Sequence, residues 1–389
     1  MTNSRYLIVG GGLTADGACK GIRAVDPDGE IVLVSEELHP PYSRPALSKA
    51  LWKGDDESTI WRGTDELGVD VRLGCRIVAL DLEHHEARDD RGRTYTFERV
   101  LLATGGRPRR LPFGGDDVIY FRTLDDYRHL RALADRGSRV VVIGGGFIGS
   151  EIAAALALNG CPVTMVFPEP GIGARIFPAS LSAALNDYYR EHGVEVLTGE
   201  TVTGIEPGQV HLGDGRTLVA DSVVAGLGIE PNVELAVAAG LPVDNGIVVD
   251  ALGRAGGRED VFAAGDVARF PVAALGGERR VEHEDHAKSH GRSVGANMAG
   301  AGEPYDHLPF FYSDLFDVGY EAVGDLDSRL DVLADGDGIA VESTIYYLDP
   351  ERRPRGVLLW NRFGHLDEAR ELLRDGKPVG RGALAARAR

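Results

Sequence analysis

The strongest constraint on this chain is a supersecondary unit that it uses twice. Residues 5–37, "RYLIVGGGLTADGACKGIRAVDPDGEIVLVSEE", read as an apolar strand, a glycine turn, an amphipathic helix and a second strand. Residues 139–170, "RVVVIGGGFIGSEIAAALALNGCPVTMVFPEP", repeat that plan. In the first copy the apolar run 6–9 meets Gly10, Gly11 and Gly12, a helical pattern extends to about Val25, and the β-rich run 31–34 ends at Glu36. In the second, 140–143 meets Gly144, Gly145 and Gly146, the helix runs through Leu158, and a strand follows from Val163 to Phe167. Each copy leads through a hairpin-like stretch to an apolar strand ending in small residues, "VLLATGG" at 100–106 and "SVVAGLG" at 222–228. Such a unit closes on a parallel neighbour by a right-handed crossover. The repeat therefore predicts an α/β chain with two Rossmann-like, doubly wound dinucleotide-binding domains.

The remaining segments set the expected boundaries. Between 71 and 100 the pattern alternates around the turn signal "DDRGR", as antiparallel strands returning to the sheet do, and "GQVHLGDGRTLVADSVV" plays the same part in the second unit. After 306 the glycine turns stop, and alternating segments lead to the amphipathic "LDEARELLRDG" at 366–376. The expected domains are 1–120 with 245–305, 121–244, and a C-terminal α+β domain, 306–389.

Composition removes several classes. A net charge of -18 argues against nucleic acid or an anionic membrane as a general partner. No apolar run approaches the roughly 20 residues that span a bilayer. The start runs straight into a strand pattern without a basic leader, so a cytoplasmic protein with no signal peptide is expected. Cys19, Cys75 and Cys161 are far apart, include no CxxC pair, and read as small core residues.

Three motifs carry chemistry. Gly10, Gly12 and Ala15 fit a GxGxxA turn, which brings backbone N–H groups up to a pyrophosphate. Glu36, 26 residues beyond Gly10, stands where a ribose hydroxyl would need an acceptor. Gly144, Gly146 and Gly149 complete a full GxGxxG, but Phe167 takes the usual acidic position and Glu169 follows two residues later. Two such sites imply a bound flavin and a visiting nicotinamide, between which hydride passes. In "VFAAGDVARF", 261–270, a strand and an Ala-Ala-Gly turn put Asp266 at an expected helix start, either as a ligand-facing carboxylate or as an ordinary N-cap.

"GGGLTADGA", "PPYSRPALSK", "LLATGGRPR", "GGGFIGSEIA", "AAGDVA" and "RRVEHEDHA" stand in this order along the chain. In this the chain resembles the two-dinucleotide flavoproteins: ferredoxin reductases, monodehydroascorbate reductases and apoptosis-inducing factor. The resemblance covers essentially its whole length. "VEHEDHAKSHGRSVGANM" at 281–298 and "YSDLFDVGYEAVGD" at 312–325 point to the last two in particular. It implies FAD on the first unit, with Gly10, Gly12, Leu13, Ala15, Glu36 and Arg44 along the adenosine and pyrophosphate. Ala103, Thr104, Gly105, Arg122, Gly265 and Asp266 belong to the same set, and Glu282, His283 and Tyr312 go beside the isoalloxazine ring. It implies NADH, with NADPH possible, on Gly144, Gly145, Gly146, Phe147, Ile148, Gly149, Glu169, Arg175 and Gly228. A carboxylate at Glu169 favours NADH, whereas Arg175 suits a 2′-phosphate. His283, His286 and His290 fall roughly on one helical face and have a metal-ligand reading, but the segment matches a flavin-side motif, and no metal is expected.

The resemblance places Lys49 near flavin N5, paired with Glu151, as the catalytic couple that stabilises charge on the reduced ring and orients the nicotinamide. Relatives that reduce disulfides carry CxxxxC after the first unit; here that region has Ser43 and Ser48, so electrons must leave directly to an external acceptor. A ferredoxin-type iron–sulfur protein is the preferred acceptor, docking on Arg107, Arg109, Arg110, Arg279 and Arg280. The alternatives are a radical or quinone reductase with Arg280 and Tyr312 at its acceptor site, and a slow NADH-responsive flavoprotein that forms a charge-transfer complex and dimerises. Oligomeric state is open between monomer and homodimer. Two further expectations follow. The prolines of "HPPYSRPALSK" should keep 39–49 stiff and extended. Asp16, just after the first glycine turn, must point away from the pyrophosphate or weaken FAD binding.

Overall fold

A computed structural model describes residues 2–336 and 338–380. The chain forms two compact units. The first comprises Met1–Arg44, Glu57–Arg107 and Glu230–Pro309; the second comprises Pro45–Asp56, Pro108–Ile229 and Phe310–Arg389. Residues 381–389, expected to end the C-terminal domain, lie outside the described residues.

The first unit is built on a seven-stranded mixed sheet. Strand Thr2–Val9 lies between Ile31–Val34 and Thr94–Leu102, parallel to both, and Asp70–Arg72 continues the parallel run beyond Ile31–Val34. The long strand Thr94–Leu102 serves two neighbours: its start pairs antiparallel with Glu86–Asp89, its end parallel with Val261–Ala263. Ile31–Val34 is buried at every position, as a strand covered on both faces must be.

Helix Leu13–Val25 packs against helix Glu284–Met298 through glycine. A Cβ on Gly21 would stand 2.0 Å from the Arg292 carbonyl oxygen, and one on Gly295 2.2 Å from that of Ala18. Gly17 and Gly291 show the same closeness, to the carbonyls of Lys288 and Thr14. Small residues four apart on each helix thus let the two backbones touch.

Two expectations are corrected here. Asp266 does not open a helix: Gly265–Val267 is a single 3-10 turn that runs into strand Ala268–Pro271. "ARFP" alternates in burial and ends in a proline, which suits an edge strand rather than a helix. The proline loop is not extended throughout. Residues 41–43 pair with 60–62, Ser43 N–H donating to Ile60 (2.8 Å) and Arg62 N–H to Pro41 (3.0 Å). Arg44–Ser48 and Ala50–Lys53 are then 3-10 turns. Pro45, with φ fixed near the helical value and no N–H to satisfy, is suited to the first turn of such a segment.

In the second unit five parallel strands run in the order Val194–Thr198, Val163–Phe167, Val140–Ile143, Ser222–Ala225 and Val118–Ile119. Helix Phe147–Leu158 is buried from Gly149 to Leu156. A separate three-stranded antiparallel sheet, Val202–Glu206, Gln209–Leu212 and Thr217–Val219, accounts for the alternation before 222. The C-terminal part is a five-stranded antiparallel sheet in the order Phe310–Leu315, Val318–Gly324, Pro354–Trp360, Ser343–Leu348, Asp331–Ala334. It is joined by helix Leu366–Asp375, which stops at left-handed Gly376. Within this unit Phe177 meets the rings of Tyr320 and Trp360 edge-on, at 5.3 and 5.8 Å.

The glycine contact between the two helices of the first unit gives a direct expectation. Replacing Gly295 with Ala should lower the unfolding free energy by roughly 1–3 kcal/mol, since backbone rather than a flexible side chain must move. Urea unfolding of the two proteins measures this; equal midpoints would mean that the helices separate without cost.

Candidate functional site

Each unit carries a helix that starts at a bare glycine. Gly10 (φ +125°) leads the first turn, where a Cβ would collide with the Ala103 carbonyl oxygen at 2.1 Å. Gly144 (φ +112°) does the same beneath the Gly226 carbonyl, at 2.5 Å, and a Cβ on Gly149 would stand 2.0 Å from the Gly144 carbonyl oxygen. Gly11 and Gly145 are held by close neighbours, the Ser35 hydroxyl and the Phe167 ring. Gly12 and Gly146 differ: a Cβ on either would meet nothing within 4 Å. Both are extended N-cap residues whose helices have no side-chain cap. At each of these uncapped starts the N-terminal dipole favours an anion. A dinucleotide pyrophosphate fits both cradles.

In the first unit, Leu13 and Ala15 are buried behind the turn. Glu36 is exposed just past strand Ile31–Val34. Arg44 is bound to Glu37 and donates to the Tyr42 hydroxyl oxygen at 2.9 Å. Burial works against its charge, but Glu37, Tyr42 and Asp266 outweigh it and hold the guanidinium above its ordinary pKa. Thr104 and Asn232 exchange two hydrogen bonds (2.8 and 2.9 Å), which fix the Ala103–Thr104–Gly105 turn. Gly265 is left-handed (φ +73°), with Thr14 so close that no side chain fits, and its N–H donates to His290 Nδ1 at 3.3 Å. Arg280, expected at an acceptor site, is instead nearly buried and paired with Glu282 at 2.6 Å.

Asp16 does turn away from the helix start. Its side chain is 1% exposed, and it accepts from Thr64 Oγ1 (2.8 Å), Lys20 Nζ (2.8 Å) and Arg62 Nε (3.3 Å). Two cations and a hydroxyl answer one carboxylate, so its charge is compensated locally.

The expected histidine face is only partly helical: His283 is the N-cap, and His286 and His290 lie inside the helix. His286 stacks on Phe270 (4.6 Å) and His290 on Tyr305 (4.6 Å), both histidines being buried. Burial lowers the His290 pKa to about 3 and that of His286 well below its usual value. Among the described residues no group of three or more His, Cys, Asp or Glu converges as metal ligands do.

The second unit holds the expected couple. Lys49 Nζ lies 2.7 Å from Glu151 Oε2, with side-chain exposures of 11% and 4%. Glu151 stands on the helix whose first turn is the second cradle. Ser48 also donates to Oε2 and Ser313 donates to Oε1, each at 2.6 Å. Tyr312 places its ring 5.2 Å from the Lys49 ammonium. Burial first, and then the Glu151 charge, raises the hydroxyl pKa of both Tyr189 and Tyr320 well above the usual range. Phe147 and Ile148, at the mouth of the cradle, are large apolar side chains left 38% exposed. Glu169 is held by Arg175 at 2.6 Å, and Gly228 is left-handed (φ +79°). Arg122 contributes its N–H to Asp126, in the capping box that starts helix Leu124–Ala134.

Ser313 and the glycines of the first unit's helix pair escaped the sequence reading. Ser313 had a signal: it alternates with Leu315 on the buried face of its strand, where a hydroxyl needs a partner.

Two dinucleotide cradles and a buried Lys–Glu couple beside one of them define a two-dinucleotide oxidoreductase. Residues 4–291 match the family described as pyridine nucleotide-disulphide oxidoreductase, and residues 294–335 match the C-terminal domain described as that of apoptosis-inducing factor, mitochondrion-associated. The chain is 35% identical to the ferredoxin--NAD(+) reductase component of the anthranilate 1,2-dioxygenase system of Burkholderia cepacia, over 97% of this chain and 95% of that protein. It is 36% identical to monodehydroascorbate reductase 3 of Arabidopsis thaliana, over 82% and 81%. The crystal structure of the covalent putidaredoxin reductase–putidaredoxin complex superimposes with a TM-score of 0.91 at 31% identity, covering 99% of this chain and 96% of that one. The chain belongs to the pyridine nucleotide-disulphide oxidoreductase family, in the branch of ferredoxin reductases, apoptosis-inducing factor and monodehydroascorbate reductases. It is an FAD- and NAD(P)H-dependent oxidoreductase.

Two outcomes follow. Lys49→Ala should slow flavin reduction by NADH on the order of 100-fold while FAD dissociation changes little; comparable losses in both would show that Lys49 only holds the cofactor. His286 and His290 are kept neutral when folded, so they contribute stability above the unfolded pKa of about 6.5. Below it the unfolded chain takes up protons that the folded chain refuses, and stability falls by up to ~1.4 kcal/mol per pH unit for each histidine. Urea unfolding between about pH 7 and pH 4.5 should therefore show a shallower decline for His290→Gln than for the wild type, and parallel declines would contradict it.

Proposed function

We propose that the chain takes electrons from NADH and delivers them singly to a ferredoxin-type iron–sulfur protein that serves an oxygenase or a P450. FAD, when bound, supplies the conversion between a two-electron donor and a one-electron acceptor. The observation that carries this reading is the state of the thiols. Cys19, Cys75 and Cys161 are all free and buried, and Ser43 and Ser48 stand in the loop where a redox disulfide would be built. Burial raises the Cys19 pKa to about 12, away from the reactive thiolate. Electrons then have no internal disulfide to reduce and leave for a separate molecule. The full-length likeness to a dioxygenase-system reductase component supports the same acceptor.

On this reading Lys49, fixed by Glu151, orients the nicotinamide and stabilises charge as it moves. Glu169 accepts from the ribose and selects NADH; Arg175, already paired with it, is less free for a 2′-phosphate. Of the five arginines considered for docking, Arg107 is taken up by Glu230, Glu234 and Asn232, Arg280 by Glu282, and the half-buried Arg279 donates to the Gly276 carbonyl. Arg109 and Arg110 remain exposed and are the better anchors for an acidic partner. The protein works in the cytoplasm, and no helix among the described residues is long and apolar enough to cross a membrane.

The match of residues 294–335 to the apoptosis-inducing factor domain supports a second reading, a slow NADH-responsive flavoprotein that dimerises. A long-wavelength band that persists in air after NADH addition, with an earlier size-exclusion peak, would favour it.

The deciding assay mixes the protein with NADH, a [2Fe–2S] ferredoxin and cytochrome c. Reduction well above background is expected, and Arg109→Glu with Arg110→Glu should depress it roughly tenfold while ferricyanide reduction is unchanged. Background rates with the ferredoxins of its own genome would reject the reading.

A further inference from the structure

In the couple Lys49–Glu151 the ammonium engages only one of the two carboxylate oxygens. Lys49 and Ser48 both approach Oε2, while Oε1 accepts from Ser313 at 2.6 Å. Ser313 is 1% exposed and belongs to strand Phe310–Leu315 of the C-terminal sheet, which packs against the helix bearing Glu151. Directly across the ladder stands Tyr320, a buried tyrosine. A carboxylate that is 4% exposed and holds one ammonium on one oxygen still has its other lone pairs stripped of water, and it turns about its terminal torsion unless something pins it.

We propose that Ser313, with Ser48 on the opposite oxygen, is a positioning residue for hydride transfer: it fixes the plane of the Glu151 carboxylate and through it the place of the Lys49 ammonium. The C-terminal sheet thereby enters the chemistry through the carboxylate of Glu151. Hydrogen bonds to charged groups are the stronger kind, and their loss misplaces the group rather than removing it. The nicotinamide nucleotide should still bind to its glycine turn while reacting more slowly. This rests on the reading in which Glu151 serves the reaction with NADH.

The test is a double-mutant cycle on the FAD-loaded protein, comparing wild type, Ser313→Ala, Glu151→Gln and the double variant. Anaerobic stopped-flow reduction with NADH, the flavin midpoint potential and the thermal midpoint are read for each. Ser313→Ala should slow the limiting rate roughly tenfold, equivalent to ~1.4 kcal/mol, with NADH Kd within about twofold. In the Glu151→Gln background the same substitution should change neither rate nor potential, because Ser313 acts only through that carboxylate. Ser313→Thr should recover most of the rate. Equal slowing by Ser313→Ala in both backgrounds, or wild-type rate and potential in the single variant, overturns the proposal. If Ser313→Ala does not retain FAD, the cycle with Ser48→Ala reads the other oxygen, and additivity there overturns it as well. Glu151→Gln reacting at the wild-type rate rejects the underlying reading of the couple; a slow Glu151→Gln beside a fast Ser313→Ala rejects only the role of Ser313.

Discussion

A helix that begins at a glycine has no side chain of its own at the N-cap to answer its first N–H groups, and this protein begins two helices in that way. At Gly12 and Gly146 no side chain caps the helix and no atom fills the space that a Cβ would occupy. Everything around these turns serves to keep them so. Gly10 and Gly144 adopt backbone conformations that other residues resist, under carbonyls that exclude a Cβ. The parallel strands beneath are buried, which fixes where the turn emerges. An anion is the natural completion of such a structure.

The second governing problem is the burial of charge. The protein places Asp16 and Glu151 away from water and leaves Arg44 partly exposed, and each is answered by more than one partner: Lys20, Arg62 and Thr64 for Asp16; Lys49, Ser48 and Ser313 for Glu151; Glu37 and Tyr42 for Arg44. A single counter-ion rarely offsets desolvation, whereas added hydrogen bonds to the remaining lone pairs do. The hydroxyls are therefore part of the ion pairs in an energetic sense.

The sequence displayed what is local. Strand, glycine turn and helix follow one another in the chain, so Gly10, Gly12, Gly144, Gly146 and the adjoining strands could be placed, and "DDRGR" did mark a hairpin. What it displayed poorly are contacts whose partners lie far apart. Ser313 meets Glu151 across 162 positions, and nothing near either residue announces the other. Gly17 and Gly21 look like defects in a helix until Gly291 and Gly295 are brought against them. The helix expected at Asp266 failed for the opposite reason: an AGD turn has the residues of a helix start, but the edge strand that follows it decides the matter.

One consequence of the domain division concerns the order of assembly. The first unit is assembled from 1–44, 57–107 and 230–309, whereas the parallel sheet of the second lies wholly within 118–225. During synthesis from the N-terminus, helix Leu13–Val25 must wait for Glu284–Met298 before its glycine face is covered, and strand Thr94–Leu102 waits for Val261–Ala263. The unit begun first therefore cannot close until its third segment, 230–309, has been made. Its exposed helix face and unpaired strand edge in that interval are the kind of surface that aggregates or recruits chaperones.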